Sequence, residues 1–227
     1  MAVATKLAIA GALALCVVTF SVGCWVGSER WRIELQLFGY QPEKSQTFLG
    51  RETIIAAIGD GASVAFLGDS IVERGPWAEL WPDVRVANRG VEGITVNLLP
   101  RELRSVPRSA RTVIVMAGIN DLRLEEDQPN DVAKDYLTLL AGLSAPGRQL
   151  LVVSTLPTSS ETLNGQVAAL NALLRAECAK GSCTYIDAWP GMTANGVIRD
   201  GLTLPDGVHL SGEGYRALAP LVRPFVG

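Results

Sequence analysis

Ser63-Val64-Ala65-Phe66-Leu67-Gly68-Asp69-Ser70 is the stretch of sequence that decides the fold. Residues 63–67 form a short, mostly apolar run, which is typical of a strand buried on both faces of a parallel sheet. A glycine, an acid and a serine follow at the point where that strand should end. The same stretch therefore predicts the first strand of a sheet and offers a candidate nucleophile, Ser70, at its end.

Four further apolar runs lie downstream and alternate with segments of helical periodicity. The runs cover 84–87, 112–117, 149–154 and Thr184–Ile186, and helices are predicted near 51–58 and over 96–104, 130–143, 161–180 and Gly212–Val222. Alternating strands and helices predict an α/β fold with right-handed crossovers. We expect a parallel sheet of about five strands flanked by helices.

An uncharged apolar segment lies near the start of the chain. Residues 7–27 carry no charged side chain, and as a helix they would span about 30 Å, the thickness of a bilayer core. This predicts an N-terminal hydrophobic helix within residues 1–27 that is a signal anchor, a cleaved signal peptide or a lipoprotein signal. Its length favours an anchor. Lys6 on one side and Arg30 and Arg32 on the other do not fix its orientation, and we expect the amino terminus inside and the following domain outside the cytoplasm.

The rest of the chain divides into a juxtamembrane segment with a lead-in helix, residues 28–61, and one domain, residues 62–227. That domain is long enough for a single hydrophobic core. The net charge of −3 excludes a strongly basic nucleic-acid binder. Cys178 and Cys183 flank a predicted turn, and either a disulfide, in an oxidising compartment, or two free thiols is compatible with the sequence.

Polar motifs follow the predicted strands. Asn88-Arg89-Gly90 comes after the second strand, residues 118–121 after the third, and Asp206 and His209 lie before the last helix. Ligands of such sheets bind at the carboxyl ends of the strands, so these motifs should gather there. Asp69 and Asp121 are expected to bond loop backbone, and Trp77 and Trp81 to pack in the core or line a pocket. Asn88 and Arg89 should line the pocket or orient a loop.

A serine nucleophile needs a general base and a group that orients the base. His209 is the only histidine, so Ser70, His209 and Asp206 are the predicted catalytic residues. The backbone N–H groups of Ser70 and Gly90 and the side-chain amide of Asn120 are the predicted oxyanion donors.

Structural alternatives stay open for each of these residues. Ser70 could cap a helix, Asp206 could serve a turn, and Gly90 and Asn120 could be ordinary loop residues. His209 could pack in the core, or bind a metal with Asp206. No metal site is expected, because further ligands are not evident.

Together the motifs resemble those of the SGNH hydrolases, the GDSL-type esterase and lipase superfamily. The matching positions are Ser70 in GDSI, Gly90 in NRG, Asn120 in GIND and His209 in DGVH, with GDSI in place of GDSL. The G-x-S-x-G elbow of α/β-hydrolases is absent.

The resemblance implies a three-layer flavodoxin-like fold and hydrolysis of carboxylic esters without a metal or cofactor. The expected substrates are small acyl or acetyl esters of lipids or sugars, hydrolysed through an acyl-enzyme on Ser70. The NRG block with Gly93 and Thr95 resembles the branch of platelet-activating-factor acetylhydrolase-type and lysophospholipase-like esterases. Two alternatives remain, an acyltransferase acting on an envelope polysaccharide and a catalytically silent binding module of the same fold.

Overall fold

The computed structural model describes residues 40–57 and 61–226. Pro42–Gly227 form one compact unit. The predicted hydrophobic helix in residues 1–27 and residues 28–39 and 58–60 of the segment 28–61 lie outside the described residues. Among the helices of the described part, none combines the length and the apolar character that crossing a bilayer requires.

A five-stranded parallel sheet forms the centre of the domain. Its strands are β1 (Val64–Gly68), β2 (Val86–Gly90), β3 (Thr112–Met116), β4 (Gln149–Val153) and β5 (Thr184–Ile186), in the order β2-β1-β3-β4-β5. This confirms the predicted parallel sheet, and the order is that of flavodoxin-like folds. In such folds the switch point lies between β1 and β3, so the carboxyl ends of these strands are where a ligand should bind.

Helices cover both faces of the sheet. They are α1 (Gln46–Ala57), α2 (Ser70–Glu73), α3 (Trp77–Leu80), α4 (Pro129–Leu143), α5 (Glu161–Glu177), α6 (Trp189–Met192) and α7 (Gly212–Val222). Three 3-10 helices (Pro42–Lys44, Leu99–Ser105, Arg223–Phe225), two π-helical turns (Asp121–Glu125, Cys178–Ser182) and a small hairpin, β6 (Thr193–Ala194) with β7 (Val197–Ile198), complete the described elements.

The side chains of β1 alternate between two hydrophobic cores. Ala65 and Leu67 pack into the core formed with α1, α4 and α5, whereas Val64 and Phe66 pack into the core formed with α2, α3, α6 and α7. Two cores separated by a sheet make the three-layer arrangement that the resemblance implied. The lead-in helix, as α1, belongs to the first of these cores.

Trp77 and Trp81 pack in the second core. Their ring centroids lie 4.4 and 6.3 Å from that of Phe66, and both side chains are about 2% exposed. This is the core packing that was one of their two expected roles.

Several predicted boundaries were wrong. The helix predicted over 96–104 is the 3-10 helix Leu99–Ser105. It begins three residues later than predicted, with Pro100 in its first turn, where the missing N–H of proline costs no helical hydrogen bond. The helix over 161–180 ends as an α-helix at Glu177, and Gly181, with φ 97°, lies in the π-helical turn that follows. β2 extends through Asn88-Arg89-Gly90, so this motif lies within the strand and not after it.

Asp69 caps the helix that follows β1. Its Oδ1 accepts a hydrogen bond from the Ile71 backbone N–H at 2.9 Å, as expected of an N-cap residue and of the predicted structural role. The side chain is only 2% exposed. Burial raises the pKa of Asp69 to about 7, although hydrogen bonds from backbone N–H groups and the charge of Arg74 act to lower it.

Asp69→Asn should remove part of the pH dependence of stability. The carboxyl group has a pKa of about 7 when folded and about 3.9 when unfolded. Its contribution to stability therefore falls as pH rises from about 4 to about 7, because the unfolded state releases the proton more readily. An asparagine keeps the cap without the charge, so the melting temperature of the variant relative to wild type should be higher at pH 8 than at pH 5.

Circular-dichroism melting of the full-length chain at both pH values measures this difference. Glu79→Gln, which alters an exposed acid on α3, is the matched control and should give the same difference at both pH values. If the melting temperature of Asp69→Asn differed from that of wild type by the same amount at pH 5 and pH 8, the raised pKa of Asp69 would be contradicted.

Cys178 and Cys183 form a disulfide, with a Cα–Cα distance of 4.6 Å. The bond closes the π-helical turn between α5 and β5. Closing a loop of this length stabilises a fold by about 2 kcal/mol on the chain-entropy relation. Of the two states compatible with the sequence, the structure contains the disulfide.

Reduction should lower the free energy of unfolding by about 2 kcal/mol. Urea unfolding of the full-length chain with and without a phosphine reductant measures the change. The Cys178→Ala/Cys183→Ala double variant keeps Cys16 and Cys24, so its unfolding should not respond to the reductant. Equal responses of wild type and variant would show that this disulfide does not stabilise the domain.

Candidate active site

The structure brings Ser70, His209 and Asp206 into contact in the predicted order. Ser70 Oγ lies 2.8 Å from His209 Nε2, and His209 Nδ1 lies 2.6 Å from Asp206 Oδ2. With Nδ1–H donating to the carboxylate, Nε2 is left to accept the proton of the serine hydroxyl. This geometry suits a general base that acts on Ser70.

Ser70 is the first residue of α2, at the carboxyl end of β1. The first N–H groups of a helix have no acceptor within that helix. Asp69 takes the N–H of Ile71, whereas the N–H of Ser70 lies at the open end of the helix. Ser70 is therefore not the cap, and its backbone N–H can serve as a donor beside its own hydroxyl.

Asp206 divides its two oxygens between a turn and the imidazole. Oδ1 accepts the backbone N–H groups of Val208 and His209, each at 2.9 Å, while Oδ2 accepts from the imidazole. Gly207 adopts φ 70° within this turn, a conformation that glycine accommodates without strain. The turn role and the proposed catalytic role of Asp206 therefore coexist.

Asp206 is held as a carboxylate. Partial burial acts to raise its pKa, but hydrogen bonds from the His209 imidazole and from the backbone N–H groups of Val208 and His209 outweigh that effect. The pKa of Asp206 is lowered to about 2. Above that pH the side chain carries a negative charge, which can stabilise a protonated His209.

Contacts that sequence patterns did not reveal fix the loop that carries Asp206 and His209. The Ser159 N–H donates to Gly207 O at 2.9 Å, and a Cβ on Gly207 would lie 1.9 Å from Ser159 Oγ. On the next helix, Tyr215 Oη donates to Ile71 O at 2.8 Å. Tyr215 thus joins α7, which follows His209, to α2, which begins with Ser70.

Asn120 lies after β3, and its side-chain amide is oriented by the backbone. Nδ2 donates to Ile94 O at 3.0 Å, which leaves the second hydrogen of the NH₂ group for another acceptor. The chain just before it is fixed at Ala117, whose N–H and C=O both bond Tyr136 Oη at 3.0 Å. The amide of Asn120, which is 7% exposed, is therefore a preorganised donor.

The neighbouring Asp121 is buried and bonds loop backbone, as predicted. Its Oδ1 accepts the Val96 N–H at 2.9 Å. Desolvation by burial raises its pKa to about 7. Consecutive residues, Asn120 and Asp121, thus bond the same loop at Ile94 and Val96.

The backbone N–H of Gly90, a predicted oxyanion donor, already has an acceptor within the domain. Asn88 Oδ1 already accepts that hydrogen at 2.9 Å. The missing side chain has a packing role, since a Cβ on Gly90 would lie 2.2 Å from the backbone nitrogen of Glu73 in α2. Asn88 Nδ2 also donates to Val72 O and Glu73 O at 2.9 Å, so Asn88 holds the end of the helix α2 and not a loop.

Gly93 lies in the loop that Asn120 contacts. It adopts φ 79°, in the left-handed region that favours glycine, and it directly precedes Ile94, whose carbonyl accepts from Asn120. The sequence signal for this position is a second glycine, Gly93, three residues after Gly90 in Asn88-Arg89-Gly90-Val91-Glu92-Gly93.

A cavity of about 580 Å³ adjoins the loop of Asp206. Asp206, Gly207 and Val208 line one side, and many of the other lining residues are polar, among them Thr158, Ser159 and Gln166. The cavity thus offers hydroxyl and amide groups next to the residue that orients His209.

Solved structures with the same fold include several described as esterases or lipases. A Streptococcus pneumonia protein provisionally described as a platelet activating factor superposes with a TM-score of 0.73 at 19% identity, covering 88% of this chain and 99% of that one. A GDSL-like lipase from Bacteroides thetaiotaomicron gives 0.66 at 20% identity, with coverage of 78% and 96%. A catalytic mutant of an acetylxylan esterase from Geobacillus stearothermophilus gives 0.61 at 18% identity, with coverage of 75% and 96%.

The TM-scores of these superpositions establish a shared fold. No curated protein sequence matches the chain. A profile of the GDSL-like Lipase/Acylhydrolase family matches residues 66–217, which is more than half of the chain and includes Ser70, Asn120, Asp206 and His209. The protein is therefore a member of the GDSL-like lipase/acylhydrolase family, the SGNH hydrolases, and an enzyme that hydrolyses ester bonds.

Proposed function

We propose that this chain is a serine esterase that hydrolyses carboxylic esters through an acyl-enzyme on Ser70. The proposal rests on two hydrogen bonds of the His209 imidazole. Nε2 lies 2.8 Å from Ser70 Oγ, and Nδ1 lies 2.6 Å from Asp206 Oδ2. A nucleophile, a base and a group that orients the base at hydrogen-bond distance are the requirements for this chemistry.

In the first half of the reaction, Ser70 Oγ attacks the acyl carbonyl while its proton passes to His209 Nε2. The ionised Asp206 stabilises the imidazolium that forms. His209 then gives the proton to the departing alcohol, which leaves the acyl group on Ser70. In the second half, His209 takes a proton from water, whose oxygen attacks the acyl carbonyl. The bond from the acyl carbon to Ser70 Oγ then breaks, His209 returns the proton to Oγ, and the carboxylic acid leaves.

Backbone and side-chain donors stabilise the oxyanion of each tetrahedral intermediate. The Ser70 N–H at the start of α2 and the Asn120 amide supply two of them. As the third donor we propose Gly93 in place of Gly90. The loop that contains Gly93 contacts Asn120, because Ile94 O accepts from the Asn120 amide. A glycine there lets the backbone approach the substrate closely.

The substrate class that we favour is a short acyl group on a polar alcohol, such as an O-acetylated sugar. Hydroxyl and amide groups in the cavity beside Asp206 suit a polar alcohol better than a lipid tail. Neighbours of the same fold include the acetylxylan esterase and a carbohydrate esterase family 3 protein from Talaromyces cellulolyticus, with a TM-score of 0.60.

We also propose that residues 1–27 attach the protein to a membrane and that the catalytic domain lies outside the cytoplasm. The support is the uncharged segment 7–27 and the disulfide between Cys178 and Cys183, since disulfides persist in oxidising compartments. In that setting the enzyme would act on ester-bearing molecules of the cell envelope.

Ser70→Ala should abolish turnover of p-nitrophenyl esters. The alanine lacks the attacking oxygen, so we expect a loss of at least about 10³-fold in kcat. The assay uses the full-length chain and a series from acetate to palmitate, and wild-type kcat/KM should be highest for the shortest chains.

Ser109→Ala, which alters an exposed serine far from His209 in the sequence, is the matched control and should keep full activity. Comparable turnover by Ser70→Ala and wild type would refute the acyl-enzyme. A maximum at palmitate would leave the nucleophile intact but overturn the polar substrate class.

Asn120→Ala should lower kcat by about 10²–10³-fold with a much smaller change in KM, because an oxyanion donor acts mainly in the transition state. Steady-state kinetics on p-nitrophenyl acetate measure the effect. Asn130→Ala, which changes an exposed residue of α4, is the control for loss of an asparagine. If the Asn120→Ala protein folded and kept the wild-type kcat, the proposed role of Asn120 as an oxyanion donor would be excluded.

A further inference from the structure

Three carboxylates converge on the turn that directly follows Asn120. Asp121, Glu125 and Asp127 each offer an oxygen, and these oxygens all lie within 4.8 Å of one another. The π-helical turn Asp121–Glu125 and the left-handed Glu126, with φ 57°, bend the chain back on itself. The bend is closed by the Asp127 N–H, which donates to Asp121 O at 3.1 Å.

One of these carboxylates is fully buried with an oxygen that lacks a partner. Asp121 has 0% exposure, and its Oδ1 is used by the Val96 N–H. Its Oδ2 has no hydrogen-bond partner within the part of the chain that the structure describes. A buried acceptor without a donor is unfavourable. A bound ligand that contacts this oxygen would remove that cost.

The surroundings of the three carboxylates are negatively charged. Glu43 and Asp135 lie close enough to Glu125 to add repulsion. Across residues 40–57 and 61–226, no lysine or arginine forms an ion pair with Asp121, Glu125 or Asp127. Like charges held together without a counter-charge favour the binding of a cation.

We propose that Asp121, Glu125 and Asp127 bind a divalent cation of the oxygen-preferring class, with Ca²⁺ as the best fit. Ca²⁺ binds oxygen ligands at about 2.4 Å, so two oxygens of one coordination shell lie at most about 4.8 Å apart. The three ligands fall within that limit. Water completes the shell, and the lack of sulfur and imidazole ligands disfavours softer metals.

The cation would lock the turn after Asn120 to the loop at Val96 through Asp121. Its binding does not depend on the esterase reaction, because none of the three ligands belongs to the proposed triad or oxyanion site. Failure of the esterase assay would therefore leave the cation site standing, and the reverse also holds.

The test is titration of the chelator-treated, full-length chain with CaCl₂ and MgCl₂, followed by isothermal calorimetry and by thermal melting. Millimolar Ca²⁺ should give saturable binding and raise the melting temperature by about 2 °C or more, because a ligand bound only to the folded state stabilises it. Mg²⁺, which requires tighter octahedral geometry, should bind more weakly.

A Glu125→Gln/Asp127→Asn double variant should bind Ca²⁺ at least about tenfold more weakly, since it loses two charged ligands. Glu126→Gln/Asp131→Asn removes the same number of charges from exposed positions nearby, and it should bind like wild type. No saturable binding of either cation to wild type would overturn the site, as would equal losses in the two double variants. If the ligand variant does not fold, the wild-type calorimetry still decides the question.

Discussion

The hydrogen bond between Ser70 Oγ and His209 Nε2 joins residues 139 positions apart, and much of the structure serves to keep its two ends in place. Hydrogen-bond geometry tolerates shifts of only a few tenths of an ångström. On one side, Asp69 caps the helix that begins with Ser70. On the other side, three contacts hold the loop of His209. They are the turn at Asp206, the Leu204 N–H that donates to His209 O at 2.8 Å, and the Ser159 N–H that donates to Gly207 O. Tyr215 then ties the two sides together.

Two aspartates near this bond have opposite electrostatic environments. Asp69 is buried, so its pKa is raised to about 7, whereas Asp206 receives three hydrogen bonds and its pKa is lowered to about 2. Because only Asp206 contacts the imidazole and stays charged at low pH, it alone suits the role of orienting His209. Sequence neighbours of a nucleophile are thus poor guides to its partners, since Asp69 is adjacent to Ser70 in the chain but bonds only backbone.

The sheet and the grouping of Ser70 with His209 and Asp206 could both be predicted from the sequence. Apolar runs of strand length predicted all five strands, and His209, the only histidine, was the only imidazole available as a base for Ser70. The role of Gly90 could not be predicted in this way. A glycine indicates that something approaches closely, but only the packed structure reveals that the approaching group is the backbone of Glu73. Likewise, helical periodicity did not predict that the segment after Val96 would form a 3-10 helix beginning at Leu99.

The exit of β3 illustrates how one segment can satisfy both the fold and the chemistry. Asn120 donates to Ile94 O, and Asp121 accepts from Val96 N, so two consecutive side chains bond the same loop with opposite polarity. An amide can donate while a carboxylate can only accept, which explains why these two residue types stand side by side. The pair fixes the loop of Gly93 relative to β3, and β3 is itself a central strand bonded to β1 and β4. The position of the Asn120 amide is therefore set by the sheet and not by the mobility of a surface loop. That rigidity is what an oxyanion donor requires, because its benefit depends on being in place before charge develops on the substrate.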